Sequence, residues 1–204
     1  MVQKMLITDS DYKASGIYIG MKQRTAQMKE FIYRIRPDGL SLLNIGKIDQ
    51  RIKTAAKFVA GSSKVIVVGR KLVSHAPIAK FGELAGAHVV TGRFMPGTLT
   101  NPSYRKFYEA DLIVIVDPQT DHQALNEAVK ARIPVVAICD TFNDTKNIDL
   151  ILPGNNKGAK ALATFFWLLS REVLKLKGKI KDYDEFSYKI EDFAGGMRLE
   201  NQEE

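Results

Sequence analysis

Residues 111–140, DLIVIVDPQTDHQALNEAVKARIPVVAICD, restrict the fold of this chain more than any other stretch. Positions 112–116 and 135–139 are unbroken β-branched and apolar runs, the pattern of strands covered on both faces in a parallel sheet. Between them Ala124, Leu125, Ala128 and Val129 recur at helical spacing, and Thr120 with Gln123 predicts a capping box at the start of the helix. Ile133 precedes Pro134 and is biased to extended backbone, so the helix stops before it. A crossover of this length makes the two strands parallel, and its right-handedness then fixes the face that the helix covers.

The rest of the chain alternates in the same way. The spacing predicts a first strand over 40–45 and then a helix with Ile48, Ile52, Ala55, Ala56 and Val59 inward, closed by Gly61. A second buried strand follows over 64–69. Ser74 can cap the next helix, with Ile78, Phe81, Leu84 and Ala85 inward, and Gly86 stops it before a short strand over 88–91. Residues 150–152 form a strand before a last helix from 156 to 177, apolar around much of its circumference, with Trp167 near its middle. These elements make an α/β protein, a doubly wound parallel sheet of about five or six strands, flavodoxin-like or Rossmann-like. With 204 residues and 45% hydrophobic content, the chain supplies one sizeable core. Ahead of it, residues 1–20 show no period and predict an arm. Met21, Thr25, Met28, Ile32 and Ile35 then share a stripe, which predicts a helix with Lys22, Lys29, Tyr33 and Arg36 on another face, ended by the turn at 36–39. The expected organisation is an arm and basic helix at 1–36, the α/β domain at 37–181 and an acidic, aromatic-bearing tail at 182–204.

Charge is unevenly placed. The net charge is +7 and the pI near 9.4. Residues 182–204 hold eight acidic side chains against Lys189 and Arg198, a net of −6, so residues 1–181 carry +13. A body that basic points to a polyanionic partner, nucleic acid ahead of an anionic membrane. Arg24 and Arg34 add to the cations of the predicted basic helix, with Glu30 the one acid beside them. Tyr183, Phe186, Tyr188 and Phe193 are more than a solvating tail needs, and are expected to dock on the body or on a protein partner. The single cysteine, Cys139, excludes an internal disulfide and agrees with a reducing compartment. The longest mainly apolar run, 161–169, is too short to span a bilayer, and the N-terminus lacks the apolar core of a secretory signal, so a cytoplasmic protein without a membrane partner is expected.

Chemistry, if there is any, belongs at the C-terminal ends of the strands, which offer Gly69, Arg70, Asp117, Asp121 and Asp140. Asp117 and Asp140 have the hard oxygens that magnesium prefers, but Asp at a strand-to-helix turn is more often a cap. VGRK at 68–71 lacks the glycine spacing of a dinucleotide fingerprint, and no Walker-type loop is present. His75, His88 and His122 have no metal-like spacing, and no Ser or Cys sits in a nucleophile elbow. No catalytic residue, metal or cofactor is therefore expected. Two loops after strands remain, GRFMPGTLTNPS at 92–103 and PGNNKG at 153–158, the second able to hold a phosphate beside Lys157 at a helix N-terminus. The competing reading is a small-molecule enzyme or sensor that binds a sugar phosphate or nucleotide with Gly69, Asp117 and the 154–158 loop.

RFMPGTLTN at 93–101, DPQTDHQAL at 117–125, IPVVAICDT at 133–141, PGNNKG at 153–158 and WLLSREVL at 167–174 together resemble the universal small-subunit ribosomal protein S-two family, across residues 16–177. FIYRIRPDG at 31–39, and the lack of a long helical-hairpin insertion, make the form similar to the archaeal members. The resemblance implies a flavodoxin-like structural constituent of the small ribosomal subunit, on its solvent side between head and body. It also implies contacts with small-subunit ribosomal RNA and neighbouring ribosomal proteins, no catalysis, no cofactor and no small-molecule substrate. Charge and loop position make Lys13, Lys22, Arg24, Lys29, Arg34, Arg36, Arg93, Lys157 and Lys160 the RNA-contact candidates, with Tyr183, Phe186, Tyr188 and Phe193 for protein contact. Tyr18 stands where the family usually carries His before Ile-Gly.

Overall fold

The computed structural model describes residues 5–195. In chain order it contains α1 (Asp9–Ser15), a 3-10 turn (Gln27–Phe31), the strands β1 (Ile32–Ile35) and β2 (Ser41–Leu43), then α2 (Ile45–Gly61), β3 (Val65–Gly69), α3 (Leu72–Ala85), β4 (His88–Thr91), β5 (Leu112–Ile115), α4 (His122–Ala131), β6 (Val135–Cys139), β7 (Leu150–Pro153), α5 (Ala159–Leu176), a second 3-10 turn (Tyr183–Glu185) and α6 (Ile190–Ala194).

β3, β5 and β6 are buried at every residue, as their unbroken Val and Ile runs require. They form the centre of a five-stranded sheet in the order β4-β3-β5-β6-β7, and all its pairings are parallel. Chain order reverses between β3 and β5, so the right-handed crossovers through α3 and α4 run in opposite directions and cover opposite faces. This is the doubly wound, flavodoxin-like arrangement. α5 packs against α2 and α3, and α6 closes over α3 and α5. That enclosure explains why α5 is apolar almost all round: Phe166 meets Phe81 of α3 with ring centroids 5.5 Å apart, and even Arg171 and Glu172 are buried.

One buried carboxylate ties residues 6–12 of the N-terminal segment to this body. Asp49 of α2 accepts the Tyr12 hydroxyl at 2.9 Å and the Leu6 amide at 2.8 Å, and pairs with Lys53 at 2.7 Å. Arg171 of α5 donates to the Leu6 carbonyl at 2.8 Å. Burial, and then the Asp49 charge, push the Tyr12 phenol well above its ordinary range, so it stays a donor.

Several local expectations are corrected. Residues 21–35 are not a helix: the chain runs extended to the 3-10 turn and then into β1, which pairs with β2 as a separate antiparallel hairpin. The expected strand at 40–45 is that second hairpin strand, not a member of the parallel sheet. α1 appears where no period was visible, capped by Thr8. Thr120 and Gln123 form no capping box; the Thr120 hydroxyl donates to Asp117 at 2.7 Å and Gln123 donates to Glu127 at 2.8 Å. Ser74 lies inside α3, whose N-cap is Lys71, and its hydroxyl donates back to the Lys71 carbonyl. α5 begins at Ala159, three residues later than expected.

Candidate nucleic-acid interface

An open α/β sheet presents its ligand crevice where chain order reverses, here at the C-terminal ends of β3 and β5. That place is filled by the chain's own side chains. Asp117, at the end of β5, meets the Lys71 ammonium at 2.5 Å and accepts the Thr120 hydroxyl at 2.7 Å, the Gln119 amide at 3.1 Å and the Asn143 amide nitrogen at 3.0 Å. Burial raises the carboxyl's pKa, but these donors outweigh it, and Asp117 lies below the usual carboxylate range. Asn143 Oδ1 in turn accepts the Asp140 amide at 2.8 Å and Asn156 Nδ2 at 3.0 Å. Asp117 and Asp140 therefore serve as loop organisers, and among the described residues no group of three or more His, Cys, Asp or Glu side chains is placed to hold a metal ion.

Two further groups at this end have shifted protonation. Burial, with the nearby Asp117 charge, pushes Asp121 up to about 6, although the Arg70 amide donates to it at 3.1 Å. At 3% exposure Asp121 offers no path to a substrate. The Cys139 thiol is pushed far up by burial and is inert. The residues at the crevice supply structure and no poised nucleophile, acid or base.

Beside the crevice, the N-terminal arm lies across the ends of β6 and β7. The Thr141 hydroxyl accepts from the Met21 amide at 2.9 Å and donates to the Gln23 carbonyl at 3.0 Å. The Thr25 amide donates to the Thr141 carbonyl at 2.9 Å, and the Thr25 hydroxyl to the Asn143 carbonyl at 3.1 Å. Gly20 permits this approach: a Cβ there would fall 2.5 Å from Thr141 Cγ2 and 3.1 Å from the Ser41 carbonyl. The loop after β7 holds the arm's other end, since the Asn155 amide donates to the Ile17 carbonyl at 2.9 Å.

This strap decides where the candidate cations stand. Lys22 and Arg24 project from it, exposed, while Lys157 reaches back to Met21 Sδ at 2.8 Å and lies 4.3 Å over the Phe142 ring. Lys160 is exposed in the first turn of α5, and Lys29 in the 3-10 turn. Arg34 and Arg36, on the hairpin, line a cleft of about 400 Å³ with Tyr18. Lys13, Tyr33 and the other side of Tyr18 line a second cleft of about 380 Å³. Lys13 pairs with Asp9 and Arg36 with Asp38, both at exposed positions where such pairs hold weakly. Lys22, Arg24, Lys29, Arg34 and Lys160 have no ion pair among the described residues.

Arg93 is not with them. It follows β4, at the opposite edge of the sheet from β7, about 19 Å away at the usual strand spacing. Its loop, 92–103, is held down by Glu127 of α4, which accepts the Gly97 amide at 2.8 Å and the Leu99 amide at 3.1 Å. Of the tail aromatics only Tyr183 is exposed. Phe193 is fully buried and Phe186 nearly so. Trp167 donates to the Tyr188 carbonyl at 2.7 Å, and Arg171 lies between the Trp167 and Tyr183 rings. The docking surface these side chains meet is the chain's own α3 and α5. Lys47 and Arg51, which flank the Phe31 ring beside the hairpin, add to the basic field and were not singled out from sequence. It is the hairpin's position that brings them to Glu30.

The chain is similar to known proteins along most of its length. Residues 14–107 and 107–175 match the family described as ribosomal protein S2. The small ribosomal subunit protein uS2 of Thermoplasma acidophilum is 45% identical over 195 residues, covering 95% of this chain and 98% of its own length. The protein of the same name from Picrophilus torridus is 43% identical over 195 residues. That of Methanococcus maripaludis is 45% identical over 188 residues, 91% of this chain and 85% of the relative.

Proposed function

The chain belongs to the ribosomal protein S2 family, and from that premise we propose that the cations of its arm, its hairpin and the start of α5 grip small-subunit ribosomal RNA by its phosphates. Membership, with archaeal relatives along nearly its full length, makes it a structural constituent of the small subunit of the cytoplasmic ribosome, with a part in translation and no enzymatic activity. Its partners are ribosomal RNA and other ribosomal proteins.

The observation that carries the contact reading is the group of cations around the strap and hairpin, of which Lys22, Arg24, Lys29 and Arg34 have no ion pair among the described residues, beside a crevice in which Asp117 is held by the chain's own donors. Shape and backbone dominate the recognition of folded RNA, and point charges on a rigid frame suit that task. Lys22, Arg24 and Lys157 sit on one ledge over β6 and β7; Lys13, Arg34 and Arg36 bracket Tyr18; Lys29 and Lys160 flank them. In this reading residues 1–36 and the start of α5 carry the grip and 37–181 supply the frame, on which the described part of the acidic segment packs. The test is incorporation. Arg24→Ala, Lys29→Ala and Arg34→Ala together touch no core contact, so the triple variant folds but cosediments poorly with small subunits in a high-salt gradient. Undiminished incorporation would move the grip elsewhere.

A further inference from the structure

The outer edge of β4 is open among the described residues. β4 ends the sheet and pairs only with β3, with Ile66 opposite His88 and Gly69 opposite Thr91. Gly92 donates its amide to the Gly69 carbonyl at 3.0 Å. Successive residues of a strand turn their N–H and C=O to opposite sides, so His88 and Val90 share the side of Gly92, towards β3. Val89 and Thr91 therefore point theirs outward. Folded proteins blunt such an edge with Lys, Pro, a bulge or a covering element, and β4 carries no Lys, Pro or bulge.

Along this edge runs a groove of about 490 Å³. One wall is β4 itself; the other is built from Arg93, Met95 and Thr98 of the loop and from Lys106, Phe107 and Tyr108. The chain itself fixes the groove's walls: Glu127 holds the loop at Gly97 and Leu99, Tyr108 donates its amide to the Thr98 carbonyl at 2.8 Å, and the Tyr108 ring stacks on His88 at 4.4 Å. No carboxylate lines it. Arg93 and Lys106 are exposed and have no ion pair among the described residues.

We propose that an extended, acidic segment of a protein partner adds to the sheet as a strand along β4, its main chain pairing with Val89 and Thr91 and its carboxylates meeting Arg93 and Lys106. An outward strand residue presents a donor and an acceptor together, and a peptide main chain answers both, which is the physical basis of strand addition. Phosphate oxygens only accept and would face the Val89 and Thr91 carbonyls; the 2′-hydroxyls of RNA can donate, but they do not alternate with acceptors along an extended line as a peptide main chain does, so RNA fits the groove less well. The inference stands on β4 and its loop, independently of the RNA grip on the arm and hairpin.

The test uses the chain assembled into small subunits. A photoreactive benzophenone side chain at Thr91 is expected to cross-link an acid-rich, extended segment of a protein neighbour, and the Val89 and Thr91 amides exchange more slowly in the subunit than in the free chain. Lys106→Glu, exposed, outside the arm and not among the RNA-contact candidates, lowers that cross-link several-fold, as reversal of a rim charge implies, while sedimentation with the subunit is retained. A cross-link to RNA, a cross-link to a basic or helical segment, or amides that exchange as fast in the subunit as in the free chain would each overturn the proposal. Loss of cosedimentation by the arm variant, with this cross-link still present in whatever assembles, would separate failure of the grip from failure of the edge.

Discussion

Thr141 shows how much one hydroxyl can organise. It closes two hydrogen bonds to the arm, at Met21 and Gln23, in a position where Gly20 leaves no spare room. Thr141→Val keeps the shape and removes both, and is expected to lower the unfolding free energy by about 2 kcal/mol. Denaturant midpoints measure that cost. Limited proteolysis at Lys22 and Arg24 measures the release of the arm, and unchanged protection there would mean that something else holds the strap. Asp121 makes a prediction of opposite character. Its folded pKa, about 6, lies above the ordinary aspartate value of 3.8, so its stabilising contribution is fully present below 3.8 and is lost as pH rises through about 6. Asp140, also raised by burial, adds in the same direction, whereas Asp117, held low, loses its contribution only on acidification. Asp121→Asn keeps an acceptor for the Arg70 amide and removes the titration. The variant should therefore lose less stability than the parent between about pH 4 and about pH 7.5, read as the difference in thermal midpoint across that window.

At the level of elements, the C-terminal segment makes the sharpest prediction. Phe186 and Phe193 bury their rings against α5 and α3, and the Tyr188 carbonyl satisfies the Trp167 indole. Truncation after Lys181 exposes those surfaces, and two buried aromatic side chains, less the entropy recovered on their release, correspond to about 3 kcal/mol. Trp167 is the chain's single tryptophan, so its emission should shift to the red in the truncated chain; an unshifted spectrum and midpoint would show that the segment merely rests there. The same elements show what a sequence displays and what it withholds. β3, β5 and β6 were legible because burial on both faces leaves unbroken Val and Ile runs, and α2 because Ile48, Ile52, Ala55, Ala56 and Val59 do face inward. Residues 21–35 misled because Met28 and Phe31 are buried by tertiary contact, and their neighbours fell at helical spacing by coincidence. The stronger local signal was the short Ile-Tyr-Arg-Ile run before a Pro-Asp-Gly turn. α1 was invisible because a seven-residue polar helix has no period to show; it is held by Thr8 and by the Tyr12 bond to Asp49, 37 positions away. The crevice was legible at Arg70, Asp117, Asp121 and Asp140, which follow strands, but not as a network, since Lys71, Asn143 and Asn156 come from three other loops.

For the molecule as a whole, the placement of charge matters more than its sum. The described acidic residues after Lys181 ride on a segment packed on α3 and α5, while the cations of the arm, the hairpin and Lys157 gather at the ends of β6 and β7. A basic cluster of this kind is drawn to an anionic surface before any contact forms. Sequence composition gave the +13 and −6 of the two parts but not their positions, which follow from the strap at Thr141 and the fold-back at Trp167. If the grip is made of phosphate contacts, its strength must follow counterion release. Six such contacts on a duplex imply a fall of about a thousandfold in affinity between about 50 and about 200 mM salt. The variant carrying Arg24→Ala, Lys29→Ala and Arg34→Ala then does more than bind weakly: the slope of log affinity against log salt becomes shallower by about 3, because three counterions are no longer released. A weakened variant that kept the parent's slope would show that these side chains hold the arm in shape and that other cations touch the RNA. Filter binding to small-subunit ribosomal RNA across a salt series separates the two, since only loss of direct phosphate contacts changes the slope.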